Sequence, residues 1–276
     1  MMKLFLVLLF FVVNYAAVAC AETEYNIIDI YCDSSKYCTD KKGQPVNGVV
    51  KSFSKIGKLN NEVFYKDGKQ DGRIKFYDIK GNLASERVGN GHAREYYASG
   101  ALRTESVVDE KSNGYIKTYY ETGALREDIK LVNGKWKRVK QYYAGGALKS
   151  KSNFNDNGEI DGVREHYYES GALSSKMWYE NDKFIRSETY YESGELQEES
   201  LGENGELVSQ KDYYKSGQLQ RELNYKNNEL NGIAKEYYEN GALKKEVVFK
   251  DGVVAEPCKN YDETGDMHER NCFGIY

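Results

Sequence analysis

Tyr237-Tyr238-Glu239-Asn240-Gly241-Ala242-Leu243 is one unit of a repeating pattern. Two aromatic strand formers precede a short polar turn that ends in glycine, and an apolar residue follows. After the turn the side chains alternate. Leu243, Lys245, Val247 and Phe249 fall on one face of an extended chain, and a period of two means strand, not helix. The glycine supplies the positive-φ position that a three- to five-residue hairpin loop needs.

The unit recurs along the chain. Anchor glycines stand at Gly57, Gly81, Gly100, Gly123, Gly146, Gly171, Gly194, Gly217, Gly241 and Gly265. Two residues after each comes Leu59, Leu83, Leu102, Leu125, Leu148, Leu173, Leu196, Leu219, Leu243 or Met267. Tyrosine pairs precede the anchors from Tyr96-Tyr97 to Tyr237-Tyr238. The outer units are degenerate, with Ser52-Phe53, Phe76-Tyr77 and Asn260-Tyr261 in place of the pair, as capping units are. Leu219, Arg221, Leu223 and Tyr225 share a face, as do Leu173, Ser175, Met177 and Tyr179. A second turn, such as Tyr65 to Gly72, splits each unit into two strands. The step from Gly81 to Gly100 is only 19 residues, which predicts a bend or shortened hairpin at about 88–94. The expected fold is all-β: an elongated array of about ten serial antiparallel β-hairpins, a single-layer, solenoid-like repeat sheet with disulfide-capped ends.

Composition agrees. The chain holds 25 Tyr and 26 Gly but only 2 Pro, 30% of its residues are charged, and mean hydropathy is −0.75. That is too polar for a thick core and too aromatic for disorder. The net charge of −4 is mixed in sign throughout, unlike the clustered basic face of a nucleic-acid binder.

Residues 1–20 read as a signal peptide: Lys3, an apolar run from Leu4 to Val13, then small residues. The run is too short to cross about 30 Å of hydrocarbon, and an uncleaved anchor is the alternative. Ala17-Val18-Ala19-Cys20 resembles a bacterial lipobox, with Ala17 where that motif usually has Leu. The resemblance implies that Cys20 becomes a lipidated N-terminus; cleavage by ordinary signal peptidase is the competing reading. Four cysteines remain. In an extended array the ends lie far apart, so Cys32–Cys38 and Cys258–Cys272 are expected as local disulfides. A metal site would need all four to converge. The expected layout is a signal peptide (1–20), an N-terminal cap (21–48), hairpin repeats (49–256) and a degenerate last repeat with a C-terminal cap (257–276).

Tyr-x-x-Gly-x-x-x-Gly at Tyr65–Gly72, followed by a strand and an aromatic pair, resembles the MORN repeat. The Tyr-Tyr-x-x-Gly-x-Leu form resembles the bacterial MORN variant of proteins labelled YwqK-family antitoxins. Tyr225–Gly232 has Asn228 for the first glycine, and Tyr179–Arg186 lacks both. The resemblance implies serial hairpins and carries no catalytic residue.

His92, His166 and His268 lie in different units, each without a repeated acidic or nucleophilic partner, and no nucleophile, phosphate-loop or zinc-protease motif occurs. Asn155–Gly162 has the look of a calcium loop but carries His166 where the bidentate Glu belongs. Neither an enzyme nor a cofactor is expected. The expected binding surface is the second tyrosine of each pair: Tyr97, Tyr120, Tyr143, Tyr168, Tyr191, Tyr214 and Tyr238. The first of each pair is expected to shield the sheet. Lys130, Lys135, Lys137, Arg138 and Lys140 cluster near Trp136 as a solvated face or a membrane or anionic-polymer contact. The functional expectation is an exported binding or scaffolding protein of a bacterial cell envelope, periplasmic, outer-membrane-associated or secreted. It would have a protein partner, no nucleic acid, and a lipid anchor as one option. An antitoxin or immunity role is the alternative that the resemblance implies.

Overall fold

The computed structural model describes residues 23–89 and 91–268. Cys20, Leu4–Val13 and Cys272 lie outside them. The chain divides into two compact units, Met1–Asp71 and Gly72–Tyr276.

In the first unit, strand Glu24–Asn26 pairs in parallel with Gly48–Phe53, which pairs antiparallel with Leu59–Lys66. The first repeat hairpin therefore packs with the cap. Ile30–Cys32 and Cys38–Asp40 form a small hairpin closed by the Cys32–Cys38 disulfide. Cys38, Val46 and Val50 make a buried cluster against Tyr25, Ile30 and Tyr65. Gly68 lies under the Tyr37 ring, where an added Cβ would sit 2.6 Å from a ring carbon.

In the second unit, strand follows strand in antiparallel order from Leu83–Val88 to Met267–His268. The anchor turns share one geometry. Around Gly123, the Tyr120 N–H donates to the Ala124 carbonyl and the Gly123 N–H to the Tyr120 carbonyl, both at 2.8 Å. Gly123 has φ +88°, and the register slips by one residue between Thr118 and Tyr119. This is a three-residue hairpin loop whose glycine makes the bulge. Nothing lies within 4 Å of a Cβ built on Gly123, so the glycine answers to backbone conformation alone. Gly123→Ala is expected to cost about 1–2 kcal/mol in urea unfolding, and Gly123→Asn distinctly less, because Asn tolerates the left-handed region. Equal losses for the two would show that space, not φ, selects glycine.

Most of the second turns are two-residue loops with both residues at positive φ, such as Asn133 (51°) and Gly134 (75°). The glycine-free turn Asn181-Asp182 keeps this geometry at 50° and 63°, and Asn227-Asn228 at 52° and 63°. Asn and Asp enter the left-handed region at low cost, so the missing glycines change nothing in the path. The short step is a tight hairpin, with Val88 opposite His92 between strands Leu83–Val88 and His92–Tyr96. Asn155–Glu159 is another three-residue hairpin loop. Asn155 Oδ1 accepts from the Asn157 and Glu159 N–H groups.

Alternation gives the sheet two unlike faces. One carries the buried residues Ile129, Leu131, Ser150, Ser152, Ser200, Asp212, Leu223, Ala234, Lys245, Val247 and Phe249. Leu223, Ala234, Val247 and Phe249 form a cluster joined by Tyr225, Leu230 and Cys258. Cys258 is itself disulfide-bonded.

Candidate functional site

The second tyrosine of each pair opens the anchor turn, and all seven are half-buried. Each hydroxyl donates to a main-chain carbonyl one unit further on. Tyr97 reaches Tyr119, Tyr120 reaches Tyr142, Tyr143 reaches Tyr167, and Tyr168 reaches Tyr190. Tyr191, Tyr214 and Tyr238 continue the series to Tyr213, Tyr237 and Tyr261, and all seven bonds are 2.7–2.9 Å long. These residues, expected as an exposed binding column, have their hydroxyls committed to a spine that joins unit to unit. At the outer turns, where Asp78 and Asp262 replace the tyrosine, the carboxylate accepts N–H groups of its own loop.

The first tyrosine lies on the other, more open face of the sheet. Its neighbour there is a row of charged side chains set directly opposite one another across successive strands. In order they are Lys75, Glu86, Arg94, Glu105, Lys117, Asp128, Lys140, Lys151, Glu165, Lys176, Glu188, Glu199, Lys211, Glu222, Lys235, Glu246 and Lys259. Every adjacent pair is of opposite sign except Lys140–Lys151 and Glu188–Glu199. Opposite charges facing across strands each stabilise by about 0.2–1 kcal/mol, and like charges destabilise.

Several ladder pairs are in direct contact. Arg94 bridges Glu86 at 3.2 Å and Glu105 at 3.1 Å, Lys151 meets Glu165 at 2.5 Å, and Lys259 meets Glu246 at 2.9 Å. Tyrosines of the flanking row donate into the ladder: Tyr96 to Glu86 at 2.7 Å, Tyr213 to Glu199 at 2.6 Å, and Tyr167 and Tyr190 to Glu165 and Glu188. Burial disfavours the charged form of Glu86, yet hydrogen bonds from Tyr96 and Arg94 outweigh it and hold this carboxyl below its usual range. Burial, then the bonded carboxylate, pushes Tyr96, Tyr190 and Tyr213 up to about 12.

The sign follows directly. A tyrosine whose folded pKa is raised contributes stability below the unfolded value near 10 and loses it as pH rises through the folded value. Urea midpoints are therefore expected to fall between pH 10 and about 12, and to fall less in a Tyr96→Phe, Tyr190→Phe, Tyr213→Phe variant. Equal pH dependence in the two proteins would refute the assignment.

The three histidines stay apart. His92 Nε2 is 3.1 Å from Glu105, and His268 Nε2 is 3.0 Å from Asp262. Burial, then Arg164 and Lys149, lowers the pKa of His166. Of the basic cluster, Lys130 faces Arg138 and Lys140 faces Lys151 on the ladder face, while Lys137 is paired with Asp156. The Cys32–Cys38 disulfide lines a shallow hollow with Tyr65, Lys69 and Gln70.

The ladder has a signal in the chain itself. A charged residue stands five positions after each anchor glycine from Gly57 to Gly241, and another stands two before Phe53, Tyr77, Tyr261 and the first tyrosine of each pair between them. The first set is acidic except Lys151 and Lys176. The second is basic except Glu165 and Glu188.

Residues 160–181, 186–204, 208–227 and 230–251 match the family described as MORN repeat variant. No curated protein matches the chain. Among solved structures it is similar to an S. aureus TarM mutant in complex with Fondaparinux, alpha-GlcNAc-glycerol and UDP. That match has 10% identity and a TM-score of 0.28, over 41% of this chain and 21% of that one. Similarity also extends to TcdB2-TccC3-TEV, with 14% identity and a TM-score of 0.20 over 80% of this chain and 15% of that one. The Photorhabdus luminescens Tc holotoxin pore matches with 11% identity and a TM-score of 0.17, over 77% and 14%. The chain spans about a fifth or less of the length of these proteins.

Proposed function

We propose that this is a non-enzymatic repeat protein whose ladder face is a binding and scaffolding surface in a bacterial cell envelope. The observation that carries the reading is the continuous row of tyrosines and charges, in register across the second unit and open on one side of the sheet. Solenoid-like arrays offer this kind of extended surface from a short motif. The Cys32–Cys38 disulfide supports an oxidising compartment, in keeping with export and, through Cys20, a lipid tether.

Capture from envelope extract tests the surface: partner retention is expected with the native chain and lost on Lys140→Gln with Lys151→Gln. Retention by both proteins would remove the ladder face from the reading. Labelling with a fatty-acid probe is expected for the native chain and absent in Cys20→Ala; no label in either removes the lipid tether. Growth rescue from a co-expressed toxin, without any envelope partner, would replace scaffolding by neutralisation.

A further inference from the structure

The charge ladder breaks strict alternation at two borders, which enclose a single inverted block. Lys151, Glu165, Lys176 and Glu188, on four consecutive strands, carry the reverse of the sign that their positions hold elsewhere. Within the block every lateral pair remains opposite. At its borders Lys140 faces Lys151, and Glu188 faces Glu199. Two like-charge contacts are a cost to the folded chain.

The two borders lie symmetrically about the Glu165–Lys176 pair. A two-fold axis there, parallel to the strands and in the plane of contact, would lay a second sheet face to face on the first. Lys140 and Lys151 of one copy then meet Glu199 and Glu188 of the other, and Glu165 meets Lys176. From Glu86 to Lys259, every ladder residue faces one of opposite sign. A strictly alternating ladder would fit itself in many registers; the inverted block leaves this one fully complementary. A foreign anion would answer the lysine border and leave the glutamate border unmatched, whereas a second copy answers both.

The apolar residues of this face agree. Val163 and Trp178 are cross-strand partners beside the axis, so each Trp178 would cover the other copy's Val163. Arg186 stacks on Trp178 at 3.7 Å, and Leu201 on the neighbouring strand is 51% exposed. An aromatic anchor at the centre of a polar rim is the usual anatomy of an interface. Six strands about 4.8 Å apart and about eight residues long cover roughly 800 Å² of sheet face, the area that each partner buries in a standard interface. Sheet twist confines close contact to this centre.

We infer that the ladder face is the interface of a two-fold symmetric dimer of this chain, with its register fixed by the inverted charge block. The inference rests on the reading of this face as a binding surface and names its partner.

Sedimentation of the full chain, purified in its natural N-terminal form, tests it. A concentration-dependent dimer that weakens with salt is expected. Lys140→Glu with Lys151→Glu, and separately Glu188→Lys with Glu199→Lys, should each weaken self-association at least about ten-fold. An equimolar mixture of the two variants should dimerise as the native chain does. Because these reversals align like charges within one sheet, a second variant protects the test: Lys151→Glu, Glu165→Lys, Lys176→Glu and Glu188→Lys together. It restores every lateral pair, so it should fold and self-associate, yet pair with the native chain about ten-fold more weakly. A native chain that stays monomeric, or a dimer indifferent to these changes, overturns the inference. If the monomeric chain still captures an envelope partner through this face, the surface reading stands and only self-association falls; loss of both removes both.

Discussion

Replacing Tyr143, Tyr168 and Tyr191 together by Phe is expected to destabilise the middle of the array by about 3–6 kcal/mol. Each substitution keeps the ring and deletes one hydroxyl. That hydroxyl donates to the carbonyl of Tyr167, Tyr190 or Tyr213 at 2.7–2.9 Å. The accepting carbonyls sit beside the bulge, where the register slips between His166 and Tyr167 and at the equivalent positions. The bulge disrupts the ladder locally, and the tyrosine of the preceding unit satisfies the carbonyl there. Leaving a partly buried acceptor unmade costs about 1–2 kcal/mol each, within the range for a lost partner. The three bonds serve adjacent units, so their losses couple and need not add. Urea unfolding gives the total, and hydrogen exchange should show lost protection in strands 148–153, 162–167, 183–190 and 206–213. A total below about 1 kcal/mol would show that water replaces the hydroxyl, and would return these rings to the pool of surface residues.

The same residues show how far the sequence could be read. Glycine at a fixed offset from an aromatic pair and a leucine leaves few options. Its φ > 0 requirement and the alternation after it define a hairpin, and ten hairpins in series define the sheet. Asn181-Asp182 lacks both glycines of the motif, yet it follows the same path because two short polar side chains reach the left-handed region. Burial of one face at Lys245, Val247 and Phe249 follows from period two alone. The role of the second tyrosine does not, since its hydroxyl reaches into the next unit, and distances between units depend on the bulge. The charge ladder is a different case. Its fixed offsets from glycine and from the aromatic are visible in the chain, but they become a ladder only once the register is known. A slip of one residue would send every member to the opposite face. The sign inversion at Lys151, Glu165, Lys176 and Glu188 is meaningless in a list and decisive on a sheet.

Packing is uneven along the array. In the middle units the covered face buries Ser150, Ser152 and Ser200, which contribute little apolar area, so hydrogen bonds and lateral ion pairs carry more of the stability there. Near the C-terminal end an apolar cluster takes over, with Leu223, Ala234, Val247 and Phe249 buried together. Phe249→Ala is therefore expected to cost about 3–5 kcal/mol, the loss of a buried ring plus the cavity left behind. Phe249 is 3% exposed and pairs across to Gly232 and Val254. Glycine on one side leaves no side chain there to swing into the space, which places the cost toward the upper end. Because each unit touches only its neighbours, the damage should stay local. Hydrogen exchange is expected to rise in strands Leu219–Lys226, Gly232–Tyr237 and Leu243–Lys250, while Leu125–Val132 and Lys135–Tyr142 keep their protection. Uniform loss of protection through all of these strands would mean that the second unit unfolds as one body. The tyrosine spine would then be coupling the units strongly enough to override nearest-neighbour behaviour.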